Sequence, residues 1–278
     1  MKLRAFVPLL TYPDPHTTEG VANAAAAAEL LNADIHMLVL EADIPAVSNA
    51  FSRVLMNLPE MIRNAEKISV DKASELLAAA RTEADAKKLK LTTDIERDQV
   101  ALLGEAAVRH ARYFDVSFVG WSTGNPGVRA LAEAVVFGSG RPTILLPDRL
   151  PPVSFGRVSI AWDGTRVAAS AVSDARFILE RATEITVVTV TDEKPIEESS
   201  AGERLVESLR QAGLKAAFSG VCAEDCPIAE TLQRHAASLG SDLLIMGGYG
   251  HSRLRDFVLG GATEGVLSDL AMPVLLSH

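Results

Sequence analysis

The chain carries one pattern twice, and that repetition limits its architecture more than any other feature. Tyr113-Phe114-Asp115-Val116-Ser117-Phe118-Val119-Gly120 aligns with Gly240-Ser241-Asp242-Leu243-Leu244-Ile245-Met246-Gly247. Further on, Arg141-Pro142-Thr143-Ile144-Leu145-Leu146 aligns with Met272-Pro273-Val274-Leu275-Leu276-Ser277. In both copies an apolar strand ends on glycine and a second apolar strand is opened by proline. Between the copies, Asp148-Arg149-Leu150-Pro151-Pro152-Val153-Ser154-Phe155-Gly156 combines a charged pair, a double proline and a glycine, as a linker does. Two units are expected, residues 1–149 and 155–278.

In the second unit, 158–163, 184–190, 214–221, 242–247 and 273–277 read as strands. They alternate with helices over 165–182, up to Gly213, over 227–239 and up to Leu270. The first unit opens with a strand over 5–10, an alanine-rich helix over 18–31 and a strand over 34–40. A helix over 76–88, a strand over 89–95, a helix over 99–112 and strands over 116–120 and 142–147 complete it. Residues 43–70, with Met56, Leu58, Pro59, Met61 and Ile62, have no counterpart in the second unit. They read as an added helical excursion that either covers an interface or pads the core.

Near-continuous apolar strands separated by helices predict an α/β fold, with parallel sheets buried on both faces and right-handed crossovers. In such sheets ligands bind outside the carboxyl ends of the strands, where the winding direction reverses. Composition allows substantial cores: 48% of residues are hydrophobic and 23% charged. Lys and Arg total 27 against 36 Asp and Glu, a net charge of −9. That balance argues against nucleic acid or an anionic membrane as partner. The opening apolar run lacks the features of a secretory signal, and the longest apolar-looking stretch, 21–31, carries Asn23 and Glu29 and is too short for a bilayer. A soluble, cytoplasmic protein is expected. Cys222 and Cys226 lack the ligand count of a zinc site and read as free, buried or half-buried thiols, with redox sensing as the sharper alternative.

The strand over 242–247 runs into Gly247-Gly248-Tyr249-Gly250-His251-Ser252-Arg253-Leu254-Arg255-Asp256-Phe257-Val258-Leu259-Gly260-Gly261-Ala262-Thr263. Glycines beyond a strand let backbone amides approach a ligand, and a helix starting near Gly261 offers free N–H groups to an anion. His251, Arg253 and Arg255 add cationic character. A polyphosphate suits this arrangement, and glycines serving only turns and close packing are the plain alternative. Asp163, just ahead of a helix, reads as a ligand contact, an N-cap, or both.

These residues resemble the universal stress protein signature G-x2-G-x9-G-[ST], with Gly247, Gly250 and Gly260 in register. Trp162-Asp163-Gly164-Thr165 is similar to that family's V-D-G-S segment, and Val190 occupies its adenine-lining position. The resemblance implies tandem doubly wound five-stranded domains of strand order 3-2-1-4-5, like adenine nucleotide alpha hydrolases. It also implies ATP or a related adenine nucleotide, with or without Mg2+, held by Ala161, Trp162, Asp163, Val190, Met246, Gly247, Gly250, His251, Arg253, Gly260, Gly261, Ala262 and Thr263. Family members pair through the fifth strand, which implies an intramolecular pseudo-dimer, with a homodimer as further assembly. Gly261 departs from the signature: a phosphate-binding hydroxyl is absent, a loss of ~1–2 kcal/mol or about tenfold in affinity.

In the first unit the stretch from Gly120 to Pro142 is four residues shorter than that from Gly247 to Pro273, and its first strand, ending Leu9-Leu10-Thr11-Tyr12-Pro13-Asp14, has no aspartate at the position matched by Asp163. This unit is expected to bind no nucleotide in the family's manner. No G-x4-G-K-[ST] or G-x-S-x-G is present, and adjacent His251 and Ser252 make a poor nucleophile and base. No catalytic or metal residues are assigned. His16, His36, His110, His235 and His278 are scattered, and most are expected at the surface. The leading reading is a stress-response nucleotide-binding module. A nucleotide-independent scaffold or chaperone-like protein is the alternative, and a slow ATPase the third.

Overall fold

The computed structural model describes residues 2–45, 58–192, 200–223, 226–248 and 262–278. The strands of the N-terminal half are β1 (Arg4–Leu10), β2 (Asp34–Asp43), β3 (Leu91–Gln99), β4 (Val116–Trp121) and β5 (Thr143–Pro147). Those of the C-terminal half are β6 (Arg157–Ala161), β7 (Glu184–Val190), β8 (Ala216–Val221), β9 (Leu243–Gly247) and β10 (Val274–Ser277). Among the described residues they form one ten-stranded sheet in the order β3-β2-β1-β4-β5-β10-β9-β6-β7-β8. Each half thus runs 3-2-1-4-5 in its own numbering, with every pair inside a half parallel. Where the halves meet, β5 and β10 pair antiparallel, placing Val274 opposite Leu145, Leu275 opposite Ile144 and Leu276 opposite Thr143.

Side chains alternate across a strand, so these continuous apolar runs feed both faces of the sheet. One apolar cluster joins Val7, Val39, Phe118 and Ile144 to Val158, Ile185 and Leu275. The other joins Phe6, Leu38, Val119 and Leu145 to Leu244, Val266 and Leu276. Each core crosses the junction between halves without interruption.

The N-terminal helices are α1 (Thr18–Leu30), α2 (Leu58–Lys87), α3 (Leu103–Ala111) and α4 (Pro126–Gly138). The C-terminal ones are α5 (Arg166–Asp174), α6 (Arg176–Leu179), α7 (Ala201–Gln211), α8 (Ile228–Ser238) and α9 (Ala262–Ser268). The structure corrects the separation of an excursion over 43–70 from a helix over 76–88. Leu58–Lys87 is one helix of 30 residues, and residues 46–57 of the excursion lie outside the described residues. From Glu60 to Lys87 there is no glycine or proline to interrupt it, and Pro59 sits in the first turn, where proline is tolerated. Its buried stripe is Ser69, Ala73, Leu76, Ala80 and Ala84, at the three-to-four spacing of one helical face. The single helix expected over 165–182 is instead divided at Ala175 into α5 and α6.

The cysteines also differ from expectation. Both Cys222 and Cys226 are exposed. Cys222 directly follows β8, the edge strand of the sheet, where no neighbouring strand covers the chain. No helix among the described residues is long and apolar enough to cross a membrane.

Candidate functional site

In the C-terminal half the winding reverses between β6 and β9. These strands are paired with Ser159 opposite Leu244 and Ile160 opposite Ile245, which brings Ala161 level with Met246 at their carboxyl ends. Beside them β7 ends on Val190, opposite Val221 of β8. The sequence-expected Ala161, Trp162, Asp163, Val190, Met246, Gly247, Ala262 and Thr263 gather along this rim. Gly250, His251, Arg253, Gly260 and Gly261 lie outside the described residues.

Trp162 is held at three points. Its backbone N–H donates to Val188 O at 2.8 Å. Its indole Nε1–H donates to Ala201 O at 3.1 Å, and its carbonyl accepts from the Thr189 hydroxyl at 2.9 Å. A half-buried aromatic ring is thereby fixed between the end of β6 and the start of α7. Next to it Asp163 is exposed, and its Oδ1 accepts from the backbone N–H of Thr165 at 3.0 Å and from the Thr165 hydroxyl at 2.7 Å. Thr165, not Asp163, is the N-cap of α5, accepting from Ala168 N. The N-cap reading of Asp163 is corrected accordingly: Gly164, at φ 80°, turns the chain so that Asp163 orients the residue that caps. The D-G-T run ahead of a helical pattern carried that signal, because threonine is itself a preferred cap.

Gly247 is required by packing. A Cβ there would lie 2.7 Å from the Val167 carbonyl carbon and 2.8 Å from Ala168 N, both backbone atoms of the first turn of α5. Thr263, 5% exposed, donates its hydroxyl toward Gly247 O at 3.4 Å and so ties the start of α9 to the end of β9. Met246 is buried in the core, whereas Ala161, Val190 and Ala262 are half-buried and pack against the same cluster.

The matching place in the N-terminal half is filled by the protein's own side chains. Ser69 of α2, fully buried, shares a 2.6 Å hydrogen bond with the Thr11 hydroxyl and accepts from Ala42 N–H at 2.9 Å. Thr11 also donates to Leu40 O at 2.8 Å, so α2 is pinned over the carboxyl ends of β1 and β2. Beyond β5, the Asp148 carboxylate accepts from the hydroxyls of Thr17, at 2.8 Å, and Ser122. Thr17 is the N-cap of α1, where a carboxylate is favoured by the free amides and the helix dipole. Gly120 is also a packing glycine, since a Cβ on it would lie 3.1 Å from Gly20 Cα.

His16 belongs to this cluster, an exception to the expectation that most of the histidines lie at the surface. It is 1% exposed, and its Nδ1 accepts from Leu10 N–H at 2.9 Å. The hydrogen bond leaves the ring proton on Nε2. Burial pushes the imidazole down to about 4, against the opposing pull of Asp148. No sequence signal singled out Ser69 or Asp148, because their partners Thr11 and Thr17 are distant in the chain, and His16, though bonded to nearby Leu10, is buried only by the packing of the half.

The universal stress protein family's model matches residues 154–278. A curated relative, universal stress protein Slr1230 of Synechocystis, is 25% identical over 148 residues, which cover 51% of this chain and 49% of that protein. The chain thus spans about half the length of the curated relative it matches. Among solved structures, a universal stress protein from Archaeoglobus fulgidus has a TM-score of 0.70 at 15% identity, over 98% of this chain and 97% of that one. A putative universal stress protein from Pseudomonas aeruginosa has a TM-score of 0.58 at 15% identity, over 99% and 93%. At these identities the structural likenesses concern the fold.

Proposed function

We propose that this chain, whose C-terminal half matches the universal stress protein family's model, holds ATP or a related adenine nucleotide at the carboxyl ends of β6, β7 and β9. The observation carrying this reading is the asymmetry between the halves. At the winding reversal of the C-terminal half, half-buried Ala161 and Val190 lie against one core cluster, the fixed Trp162 ring against the other, and Asp163 stays exposed. At the equivalent place in the N-terminal half, Ser69, His16 and Asp148 are engaged by the protein's own Thr11, Leu10 and Thr17. The described rim fits the adenosine end of a nucleotide: apolar walls for a base and an exposed carboxylate for hydroxyl or amino donors. Among the described residues no group of three His, Cys, Asp or Glu side chains could hold a metal ion.

The units 1–149 and 155–278 act, on this reading, as a non-binding and a binding domain joined as a pseudo-dimer through β5 and β10. These strands cover each other's edges, so a homodimer must use other surfaces. The scaffold reading is favoured by Gly247 and Thr263, whose packing roles need no ligand, and by Gly261 in the signature. Native mass spectrometry of protein purified without added nucleotide, followed by titration with ATP, separates the two. An adenine-nucleotide adduct or saturable binding supports the proposal. Neither retained mass nor binding heat up to millimolar ATP leaves the scaffold.

A further inference from the structure

The two halves differ at the carboxyl ends of their strands but agree at the amino ends. There β1 pairs Arg4 with Asp34 of β2, and β6 pairs Arg157 with Glu184 of β7. Just ahead of β3 and β8, Lys90 O accepts from Ile35 N–H at 3.0 Å and Lys215 O from Ile185 N–H at 2.9 Å. Arginine, carboxylate and lysine thus occupy matching positions in both halves. Asp115 and Asp242 match as well, accepting from the backbone N–H of Arg4 at 2.8 Å and of Arg157 at 2.9 Å. Beneath these charges the interior has changed. Phe6, His36 and Phe114, stacked with centroids 5.0–6.1 Å apart, are replaced by Ser159, Thr186 and Ser241. An interior that diverges beneath exposed charges that do not is the reverse of what packing alone demands.

A cavity opens among the charges in each half. Arg4, Asp34, His36, Lys90, Thr92 and Phe114 line one of about 310 Å3, and Thr183, Glu184, Arg210, Lys215 and Ala217 line one of about 320 Å3. In the first, both Asp34 oxygens are met by lysines, Lys2 at 2.6 Å and Lys90 at 3.7 Å. The Arg4 guanidinium carbon lies 4.8 Å over the Phe114 ring, which leaves the N–H edge of the group to an acceptor. In the second, Arg157 is turned away: its Nη1 lies 2.6 Å from where a Cβ on Gly240 would stand. Arg210 of α7 supplies the guanidinium instead, its Nε donating to Ala216 O at 2.9 Å. Among the described residues no carboxylate pairs with the side chain of Arg4, Arg210 or Lys215. Lys2, Arg4 and Lys90 face Asp34 and Asp115 at one cavity, and Arg157, Arg210 and Lys215 face Glu184 and Asp242 at the other. Cations lead at both, in a chain of net charge −9.

We propose that each cavity is an oxyanion site holding one phosphate group between an arginine and a lysine, Arg4 with Lys90 in the N-terminal half and Arg210 with Lys215 in the C-terminal half. Two cations suit a dianion, and the arginine fork offers paired donors to its tetrahedral oxygens. A volume of about 310 Å3 admits a phosphate with a small substituent. Both sites lie at the opposite ends of the strands from the proposed nucleotide rim and do not depend on it.

Titration of the full chain with inorganic phosphate at low ionic strength, followed by amide NMR, tests this. Signals of residues 34–36 and 90–92, and separately of 183–185 and 215–217, should shift and saturate in the millimolar range, and added salt should weaken both. Arg4→Gln with Lys90→Gln should weaken the first site roughly tenfold and spare the second, and Arg210→Gln with Lys215→Gln should do the converse. Asp34→Asn should tighten the first site several-fold, because it removes the competing carboxylate. Glycerol phosphate in place of phosphate identifies the source: tighter binding points to a phosphorylated small molecule, equal binding to free phosphate. Absence of saturable shifts at both cavities, or equal loss at both from either pair of substitutions, would overturn the proposal. A weaker first site in Asp34→Asn would make that trio an ion-pair ladder and refute the N-terminal site.

Discussion

The backbone N–H of Leu10 donates to Nδ1 of His16 at 2.9 Å, fixing a ring that burial keeps in its neutral form. Because the folded pKa, about 4, lies below the ordinary 6.5, the unfolded chain binds a proton that the folded chain refuses as pH falls between those values. The contribution is fully present above about 6.5, is lost as pH falls toward 4, and changes no further below that. The loss should reach about 3 kcal/mol. His16→Asn, whose side-chain oxygen can accept from Leu10, should flatten this part of the profile. Urea unfolding at pH 7 and pH 4.5 checks it, and an unchanged slope in the variant would remove His16 as the cause.

Ser69→Ala tests how α2 closes the N-terminal half. The substitution removes the acceptor of Ala42 N–H and one partner of Thr11. A buried donor left without a partner costs ~1–3 kcal/mol. Chemical denaturation should show that loss. A change within error of zero would mean that water or another acceptor replaces the hydroxyl.

Gly247→Ala should destabilise more than Gly248→Ala. The first methyl meets backbone at 2.7 Å, and α5 must move to admit it. The second meets the Phe137 ring edge at 3.2 Å, and a side chain yields more readily. Overpacking of the first kind costs ~1–3 kcal/mol. Paired thermal unfolding of the two variants gives the order, and the reverse order would contradict the close approach of β9 and α5.

Nucleotide stoichiometry tests the asymmetry. Calorimetry should find no more than one ATP site per chain, because Ser69, His16 and Asp148 occupy the N-terminal position. Gly261→Ser restores the signature hydroxyl and should tighten binding roughly tenfold, whereas Gly250→Val should abolish it, a β-branched side chain taking the space the phosphates need. Two equivalent sites would overturn the asymmetry, and an unchanged affinity in Gly261→Ser would separate that position from the phosphates.

Much of this fold is legible in local pattern. Apolar runs of strand length, separated by helical periodicity, locate the eight inner strands within a few residues, because a strand buried on both faces is apolar at most positions, whereas the edge strands β3 and β8 are mostly half-buried or exposed and carry a weaker signal. The repeat of 113–120 in 240–247 identifies β4 and β9 as equivalents, and the glycine ending each strand reports the close approach of α1 and α5. Boundaries governed by tertiary contacts are less legible. Leu58–Lys87 reads as two pieces because its first turns carry little apolar periodicity, and the helix is continuous because its stripe from Ser69 onward finds the sheet.

What the sequence determined by itself was two copies of one α/β pattern, the glycine-rich segment confined to the second, and the missing hydroxyl at Gly261. Only the tertiary structure decided what fills the first copy. Thr11 and Ser69 are 58 positions apart, and Thr17 and Asp148 131. No local pattern encodes contacts of that range. They arise when apolar strands order themselves into a sheet and carry polar residues, individually unremarked, to the same end of it.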